Sequence, residues 1–312
     1  MLDFFSYFYD MSQHSHHHHH HMVSGTRLFW TIVLNISITV GQFIGGILSG
    51  SMALLSDAVH NLSDVISLIV SYTANRLAHK KATTDKTFGY KRAEIIAAFI
   101  NAISLILIAF WLIYESIQRI LTPSAIEEQT VIYLSIVAIV GNGLSVLLLK
   151  NQQSNNLNIR SAYVHLFSDL LASVAVLVGA IAISLYDWQL IDPILSILIS
   201  LYLIYLGYQL LRDSTQILML YTPYEVDLAE VIETVHAFEQ VKKLHHIHLW
   251  KLNDTEIHLE AHIDLQGDLN ISEFTALQQE IEVLLLERYG INHLTLQPEF
   301  QKKDPKEFIV QD

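Results

Sequence analysis

The first two thirds of the chain are divided by short polar segments into six apolar runs of about 20 residues. A helix needs about 20 apolar residues to cross the hydrocarbon core of a bilayer, so each run predicts one membrane-spanning helix. The second and fifth runs contain polar residues, but the rest of each is too apolar for a helix of a soluble domain. The predicted spans cover 28–50, 52–78, 95–117, 130–149, 161–186 and 189–212.

The last third of the chain has the periodicities of a soluble domain. Two segments have apolar residues at helical spacing, 225–240 and 268–290. Three others have the character of strands, and they are 241–252, 255–265 and 291–300. The order helix–strand–strand–helix–strand predicts a small open sheet with two helices covering one face.

Charge separates the same two regions. Charged residues make up 16% of the chain and the mean hydropathy is +0.36, whereas soluble domains carry about 25% charged residues. Residues 214–312 contain 18 acidic and 7 basic residues, a net charge of −11, and the remainder has a net charge of −2. We therefore expect three parts: a disordered His-rich tail (1–26), a six-helix membrane domain (27–213) and a cytosolic α+β domain (214–312).

Composition also excludes some classes of partner and site. The acidic balance argues against a nucleic-acid partner, whose phosphates require a basic face. The chain has no cysteine, which excludes disulfides and thiolate metal ligands.

The distribution of lysine and arginine predicts the orientation in the membrane. Six basic residues lie in the segment 76–92, between the second and third runs, and Lys150 and Arg160 border the connection before the fifth run. The connection "YDWQLID" between the last two runs holds two aspartates and no base. Because basic loops stay on the cytoplasmic side, we expect a cell-membrane protein with both termini in the cytoplasm.

Two predicted spans contain a histidine and an aspartate one helical turn apart. His60 and Asp64 lie in "AVHNLSD", and His165 and Asp169 lie in "YVHLFSD". Placing a charged residue in mid-membrane costs at least about 2.5–3.5 kcal/mol of free energy. Because two spans carry the same costly histidine–aspartate pair, the repetition suggests a function. If the pairs face each other, two imidazoles and two carboxylates form a set suited to zinc. The alternative is that each pair is a local hydrogen-bonded couple that stabilises helix packing.

These motifs resemble those of the cation diffusion facilitator family of zinc-exporting proton antiporters. The resemblance covers nearly the whole chain and includes "SMALLSDAVHNLSD", "FGYKRAEIIAAFIN", "RSAYVHLFSDLLASVAVL", "HIHLW" and "EAHI". It implies a homodimer in the bilayer, with six membrane helices per protomer and a metallochaperone-like, ferredoxin-like cytosolic domain. It also implies that the transport site consists of His60, Asp64, His165 and Asp169.

The resemblance further implies a cytosolic zinc site at His245, His262 and Glu299. We add His248 to this site, because we expect it on the same side of its strand as His245. The neighbouring His246 is expected to point the opposite way. The alternative is that these histidines pack between subunits.

Three further features bear on the metal ligands and the ion path. The family's fourth cytosolic ligand aligns with Asn292, one position before His293. In the loop before the third span, His79 and Asp85 are candidates for a minor metal site, with a solvated basic loop as the alternative. Asp57, three residues before His60, either helps ions to leave or belongs to a solvated helix end.

A histidine tract lies near the beginning of the chain. It spans 14–21 and contains seven of the 17 histidines. It is either a native metal-collecting tail or a purification tag. In both cases we expect it to be disordered, and it carries no information about the transport site.

The predicted function is export of Zn²⁺ from the cytoplasm in exchange for protons. Two alternatives remain: a broader exporter of Cd²⁺, Co²⁺, Ni²⁺ or Fe²⁺, since affinity order alone favours several of these metals, and a membrane zinc sensor that moves no ions. An intramembrane zinc protease is disfavoured, because the sequence has no HExxH motif and four protein ligands leave no open position for a catalytic water.

Overall fold

The structure is a computed structural model that describes residues 25–78, 80–150, 157–303 and 306–309. The histidine tract 14–21 and His79 lie outside the described residues. For some helical residues, among them 157–166, the structure describes the backbone alone.

The described part of the first two thirds of the chain consists of six long helices, one for each apolar run. They are α1 Gly25–Ser49, α2 Met52–Ala78, α3 Ala93–Leu121, α4 Glu128–Lys150, α5 Leu157–Tyr186 and α6 Ile191–Leu218. The predicted helical character of every run is therefore confirmed.

Not every helix meets a strict criterion for crossing a membrane. Among the described residues, three segments are long and apolar enough: α3, residues 167–186 of α5, and α6. Shorter apolar segments lie in α1 and α4, and α2 contains the polar residues noted above. The number of six crossings stays a prediction.

The described residues fall into two compact units. The first consists of the residues up to Leu68 together with Ile103–Tyr208. The second consists of Ile69–Ala102 and the chain from Gln209 onwards. The domain boundaries expected from the sequence, at 27–213 and 214–312, stay predictions.

The N-terminal part of helix α2 lies in the interior of the first unit. Every residue from Ser51 to His60 is buried, although the outward faces of the neighbouring helices expose large apolar side chains such as Leu107 and Phe110. A helix buried on all sides is normally apolar on all sides. The polar residues of α2 are tolerated because other helices supply them with hydrogen-bond partners.

Three serines that are hydrogen-bonded in a row illustrate how a polar group of α2 is given a partner. The Ser56 and Ser196 hydroxyl oxygens lie 2.7 Å apart, and the Ser116 hydroxyl donates to Ser196 over 2.7 Å. All three residues are buried, and they lie on α2, α6 and α3. Small hydroxyl residues of this kind let membrane helices approach closely and hydrogen-bond across the contact.

The beginning of α2 is capped by a carboxylate from another helix. Asp192, in the first turn of α6, accepts hydrogen bonds from the backbone N–H groups of Met52 (2.6 Å) and Ala53 (3.3 Å) and from the Ser51 hydroxyl. Asp192 is buried, so it satisfies N–H groups that have no partner within their own helix. Its negative charge is also favourable at a helix N-terminus.

We expect Asp192→Ala to destabilise the protein by about 1–3 kcal/mol, because buried donors at the start of α2 lose their acceptor. Thermal unfolding of the detergent-solubilised full chain measures this as a lower midpoint. The control is Asp187→Asn, since Asp187 is exposed and lies in the connection just before α6. Equal midpoints for the two variants would contradict the assigned capping role.

The C-terminal part of the second unit has the predicted order of elements. Its elements are α7 Leu228–His236, β1 Val241–Lys251, β2 Ile257–Leu265, α8 Ile271–Tyr289 and β3 Ile291–Glu299. Within the described residues the strand order is β1-β2-β3, with β1 antiparallel and β3 parallel to β2. The apolar faces of both helices and the sheet form one core, so the predicted α+β domain is confirmed.

Local sequence signals explain where α8 begins and ends. The Asn270 side chain accepts from the Glu273 N–H, and the Glu273 side chain accepts from the Asn270 N–H, which forms a capping box. Gly290 ends the helix in the left-handed region at φ +69°. Glycine is favoured there because it has no Cβ to clash.

The end of α7 is joined to β1 by a histidine that must remain neutral. His236 Nε2 accepts a hydrogen bond from the Leu244 N–H over 2.9 Å. Burial, followed by the nearby Lys243 ammonium, lowers the pKa of His236 below its ordinary value of 6.5. A neutral ring suits this contact, because a protonated imidazole has no acceptor nitrogen.

This lowered pKa predicts a pH dependence of stability. The contribution of His236 is fully present above its unfolded pKa of 6.5 and is lost as pH falls through the window between that value and the lowered folded pKa. We expect His236→Gln, which stays neutral, to lose less stability than the native chain between pH 8 and pH 5.5. Thermal midpoints measured with a chelator present test this, and parallel pH profiles would contradict it.

Candidate metal centres

Three side chains from α2 and α5 lie together inside the first unit. His60 Nε2 lies 3.4 Å from Asp169 Oδ1, and His60 Nδ1 lies 3.8 Å from Asp64 Oδ2. His60 and Asp169 are buried, and Asp64 is partly exposed. Two ligands of one tetrahedral zinc ion are separated by about 3.4 Å. The His60 Nε2–Asp169 separation has the size that a shared metal requires, whereas Asp64 lies beside the other ring nitrogen of His60.

The fourth predicted ligand belongs to the same helix as Asp169. Helix α5 is continuous through His165 and Asp169, which are four residues apart. The side chain of His165 lies outside the described residues, so its participation stays a prediction. Among the described residues, one ligand atom from each of His60, Asp64 and Asp169 lies within 4.8 Å of the others.

A buried polar network beside this cluster was missed by the sequence analysis. Asp57 accepts hydrogen bonds from Gln42 Nε2 (2.7 Å) and from the Ser173 hydroxyl (3.1 Å), and Asn61 Nδ2 donates to Gln42 Oε1 (3.2 Å). The network joins α1, α2 and α5. The alternative that Asp57 belongs to a solvated helix end is wrong, because Asp57 is fully buried. The available signal was Gln42, an amide within an apolar run.

An aromatic ring of α6 closes another side of His60. The Tyr202 ring lies edge-on to the His60 ring, with centroids 6.4 Å apart at 77°. The imidazole is thus surrounded by a carboxylate of its own helix, a carboxylate of α5 and a ring of α6. These contacts restrict its orientation, which a metal ligand requires.

The second cluster combines one residue from each strand of the sheet. His262 Nδ1 lies 3.0 Å from Glu299 Oε1, and His245 Nε2 lies 3.2 Å from Glu299 Oε2. His245 and His262 are register partners on β1 and β2, and Glu299 ends the adjacent β3. His245 and Glu299 are buried. Two imidazoles and a carboxylate at these distances form a set that suits zinc.

Cationic side chains already contact this carboxylate. Lys306 Nζ lies 2.6 Å from Glu299 Oε2 and 3.3 Å from His245 Nε2. Lys302 Nζ donates to Glu299 Oε1. A buried carboxylate needs compensation of its charge, and the two ammonium groups supply it.

His248 does not belong to this cluster. The register of β1 is irregular between His245 and His248, and His246 has a positive φ of 50°. This β-bulge turns His246 so that its ring contacts both His248 (centroids 5.2 Å) and His262 (4.6 Å). The prediction that His246 points away from His248 is therefore wrong: residues two apart on a strand lie on the same face, and the contact between these two rings agrees with that alternation.

The aligned fourth ligand lies at the other end of β3. Asn292 accepts from the Ile257 N–H and donates to the Thr255 carbonyl, so it has a structural role. Six residues of strand lie between it and Glu299, a distance of about 23 Å. His293 packs on His258 with ring centroids 4.3 Å apart, also far from the cluster.

The loop site at His79 and Asp85 stays a prediction, because only Asp85 belongs to the described residues. Asp85 lies in an exposed turn closed by the Thr83–Lys86 bridge, and His79 lies outside the described residues. In the same unit, Lys91 Nζ forms an ion pair with Glu256 over 2.6 Å. This pair joins the segment before α3 to the chain just before β2.

Comparison with known families agrees with the fold. A family model described as the cation efflux transmembrane domain matches residues 28–219. A second, described as the cytoplasmic domain of cation efflux proteins, matches residues 223–301. The chain belongs to the cation efflux family. Members of this family are transporters rather than enzymes, and this chain is a multi-pass membrane protein with a cytoplasmic C-terminal domain.

Similar family members carry names that state their cargo. The chain is 41% identical to the cadmium, cobalt and zinc/H(+)-K(+) antiporter of Bacillus subtilis (strain 168), over 83% of each protein. It is 33% identical to zinc transporter ZitB of Escherichia coli (strain K12), over 88% of this chain and 87% of that protein. It is 32% identical to metal cation efflux system protein CzcD of Cupriavidus metallidurans, over 91% and 89%.

Proposed function

We propose that this protein exports divalent metal ions, chiefly Zn²⁺, from the cytoplasm in exchange for protons. The observation that carries the proposal is the cluster of His60, Asp64 and Asp169 inside the membrane helices. Charged groups within the membrane are costly and usually mark an ion pathway. His165 is proposed as the fourth ligand, which gives two imidazoles and two carboxylates.

The ligand set favours zinc over harder cations. Imidazole suits zinc and its neighbours among the transition metals, whereas magnesium and manganese favour oxygen ligands. The names of relatives include zinc, cadmium and cobalt, so these ions are the alternative cargoes. Nickel and ferrous iron are allowed by the same ligands.

Proton exchange follows from the chemistry of the ligands. An imidazole or a carboxylate binds a metal only when it is deprotonated, so protonation and metal binding exclude each other. We propose that zinc binds from the cytoplasmic side, that the helices rearrange around the site, and that protons from outside displace the ion. Alternating access of this kind needs α2 and α5 to move together, because the ligands lie on both.

Topology and assembly are proposed from charge and family. We propose that the protein lies in the cell membrane with both termini in the cytoplasm. The reason is that basic residues are concentrated in the connections after the second and fourth spans. A homodimer is proposed because the second matched model describes the family's cytoplasmic domain. The boundaries of the tail, the membrane domain and the cytosolic domain are proposed at 1–26, 27–213 and 214–312.

The cytosolic cluster is proposed as a regulatory zinc site. His245, His262 and Glu299 supply three ligands, and the domain that holds them performs no transport by itself. Zinc bound here would report the cytoplasmic concentration to the membrane helices. The competing function is a sensor that binds zinc at both sites and moves none.

Flux measurements distinguish the exporter from the sensor. In proteoliposomes with an outward-directed proton gradient, we expect zinc uptake by the native chain. We expect Asp64→Ala and Asp169→Ala each to reduce it at least about 100-fold, because each removes a ligand. Asp187→Asn, an exposed carboxylate change, serves as the control and should transport normally.

Two outcomes would contradict the proposal. Zinc that binds the native chain without flux favours the sensor. Uptake that ignores an imposed pH gradient excludes proton antiport. Size-exclusion profiles of the variants must match the native chain, so that loss of flux reports the site rather than misfolding.

The cytosolic site is tested by a matched pair of histidine substitutions. We expect His262→Ala to weaken zinc binding to the cytosolic domain of the full chain about 100-fold or more, since it removes one of three ligands. His248→Ala should leave this binding unchanged, because His248 lies outside the cluster. Calorimetric zinc titration in nanodiscs provides the measurement, and equal losses for both variants would refute the assignment.

A further inference from the structure

Lys306 occupies the position that a metal would take in the cytosolic cluster. Its ammonium lies 2.6 Å from Glu299 Oε2 and 3.3 Å from His245 Nε2. An ammonium has donors only, so His245 Nε2 is the acceptor in this contact. The Nε2 lone pair that would bind a metal is therefore the one that accepts the hydrogen bond from Lys306.

Metal and lysine cannot share this position. A zinc ion bound at about 2.0–2.2 Å from Glu299 Oε2 and His245 Nε2 would overlap the Lys306 ammonium. The two cations would also repel each other in a buried environment, where charges are poorly screened. Binding of one requires departure of the other.

The backbone around Lys306 is attached to the edge of the sheet. The Glu307 carbonyl accepts from the His246 N–H (3.0 Å), and the Phe308 carbonyl accepts from the Ile247 N–H (2.9 Å). Because β1 has β2 on one side only, these bonds cover its free edge. Lys306–Phe308 is called the latch segment below.

The Phe308 side chain adds two contacts to the latch segment. Its ring lies against the His236 ring, with centroids 6.5 Å apart. The Lys243 ammonium lies over the same ring at 4.9 Å from the centroid. The latch segment is thus held by two backbone hydrogen bonds, an ion pair and ring contacts. All of these contacts would break if the segment moved away from β1.

We propose that Lys306 is a built-in competitor of zinc, and that zinc binding at His245, His262 and Glu299 releases the latch segment from β1. This inference rests on the cytosolic site proposed above. Lys306 sets the metal affinity of that site, because each binding event must first break its contact with the buried carboxylate. Release uncovers the edge of β1 and links site occupancy to a change in the sheet.

The first test measures zinc affinity in the full chain carrying Asp169→Ala, which removes binding at the transport site. We expect Lys306→Met to tighten zinc binding about tenfold, the factor that corresponds to one hydrogen bond to a charged group. Lys306→Arg keeps the cation and should restore weaker binding. Lys303→Met is the matched control, since Lys303 makes no ion pair with a described residue.

The second test follows the latch segment itself. The chain has no cysteine, so a spin label on Ile309→Cys reports one position, and Ile309 is 69% exposed. We expect zinc to increase the mobility of the label. With Lys306→Met the label should be mobile before zinc is added.

The outcomes distinguish a failure of the latch proposal from a failure of the cytosolic metal site on which it rests. If adding His262→Ala leaves zinc binding unchanged, the cytosolic site is wrong and the latch is overturned with it. If zinc binds in a His262-dependent way while Lys306→Met has native affinity and the label stays immobile, the site stands and the latch alone is overturned. Tighter binding together with zinc-induced mobility supports it.

Discussion

Helix α2 is buried on all sides at the level of Asp57 and His60, and this burial constrains the rest of the membrane unit. Buried polar groups are costly unless they are hydrogen-bonded, so every neighbouring helix must present a partner. Gln42 of α1, Ser173 of α5 and Ser196 of α6 do so directly, and Ser116 of α3 donates to Ser196. This surrounding set stabilises the helix that carries two of the three described ligands of the cluster.

The sequence predicted the elements well because periodicity is a local property. All six apolar runs are helices, and the order of the C-terminal elements is as expected. The i,i+4 spacing also brought His60 and Asp64 to one helix face. Which groups from other helices meet them could not be predicted, because contacts such as Gln42 with Asp57 depend on packing between elements distant in sequence.

The cytosolic cluster shows where local pattern fails. The expected sides of His245 and His248 disagreed with strict alternation, which places residues three apart on opposite faces, and β1 also has an irregular register between them. Bulges depend on the pairing of two strands and leave little mark in one of them. The contact of Lys306 with Glu299 was equally hidden, because a lysine in a charged C-terminal segment has no periodic signature.

Both candidate sites are made entirely of imidazole and carboxylate groups, in a chain without cysteine. Thiolate ligands are lost when peroxides convert them to sulfenic or higher acids, and a site that contains them fails during oxidative stress. Imidazole and carboxylate ligands do not undergo this stepwise oxidation. Metal handling by this protein is therefore expected to persist in a cell whose thiol pool has been oxidised, when cysteine-bound zinc is being released into the cytoplasm.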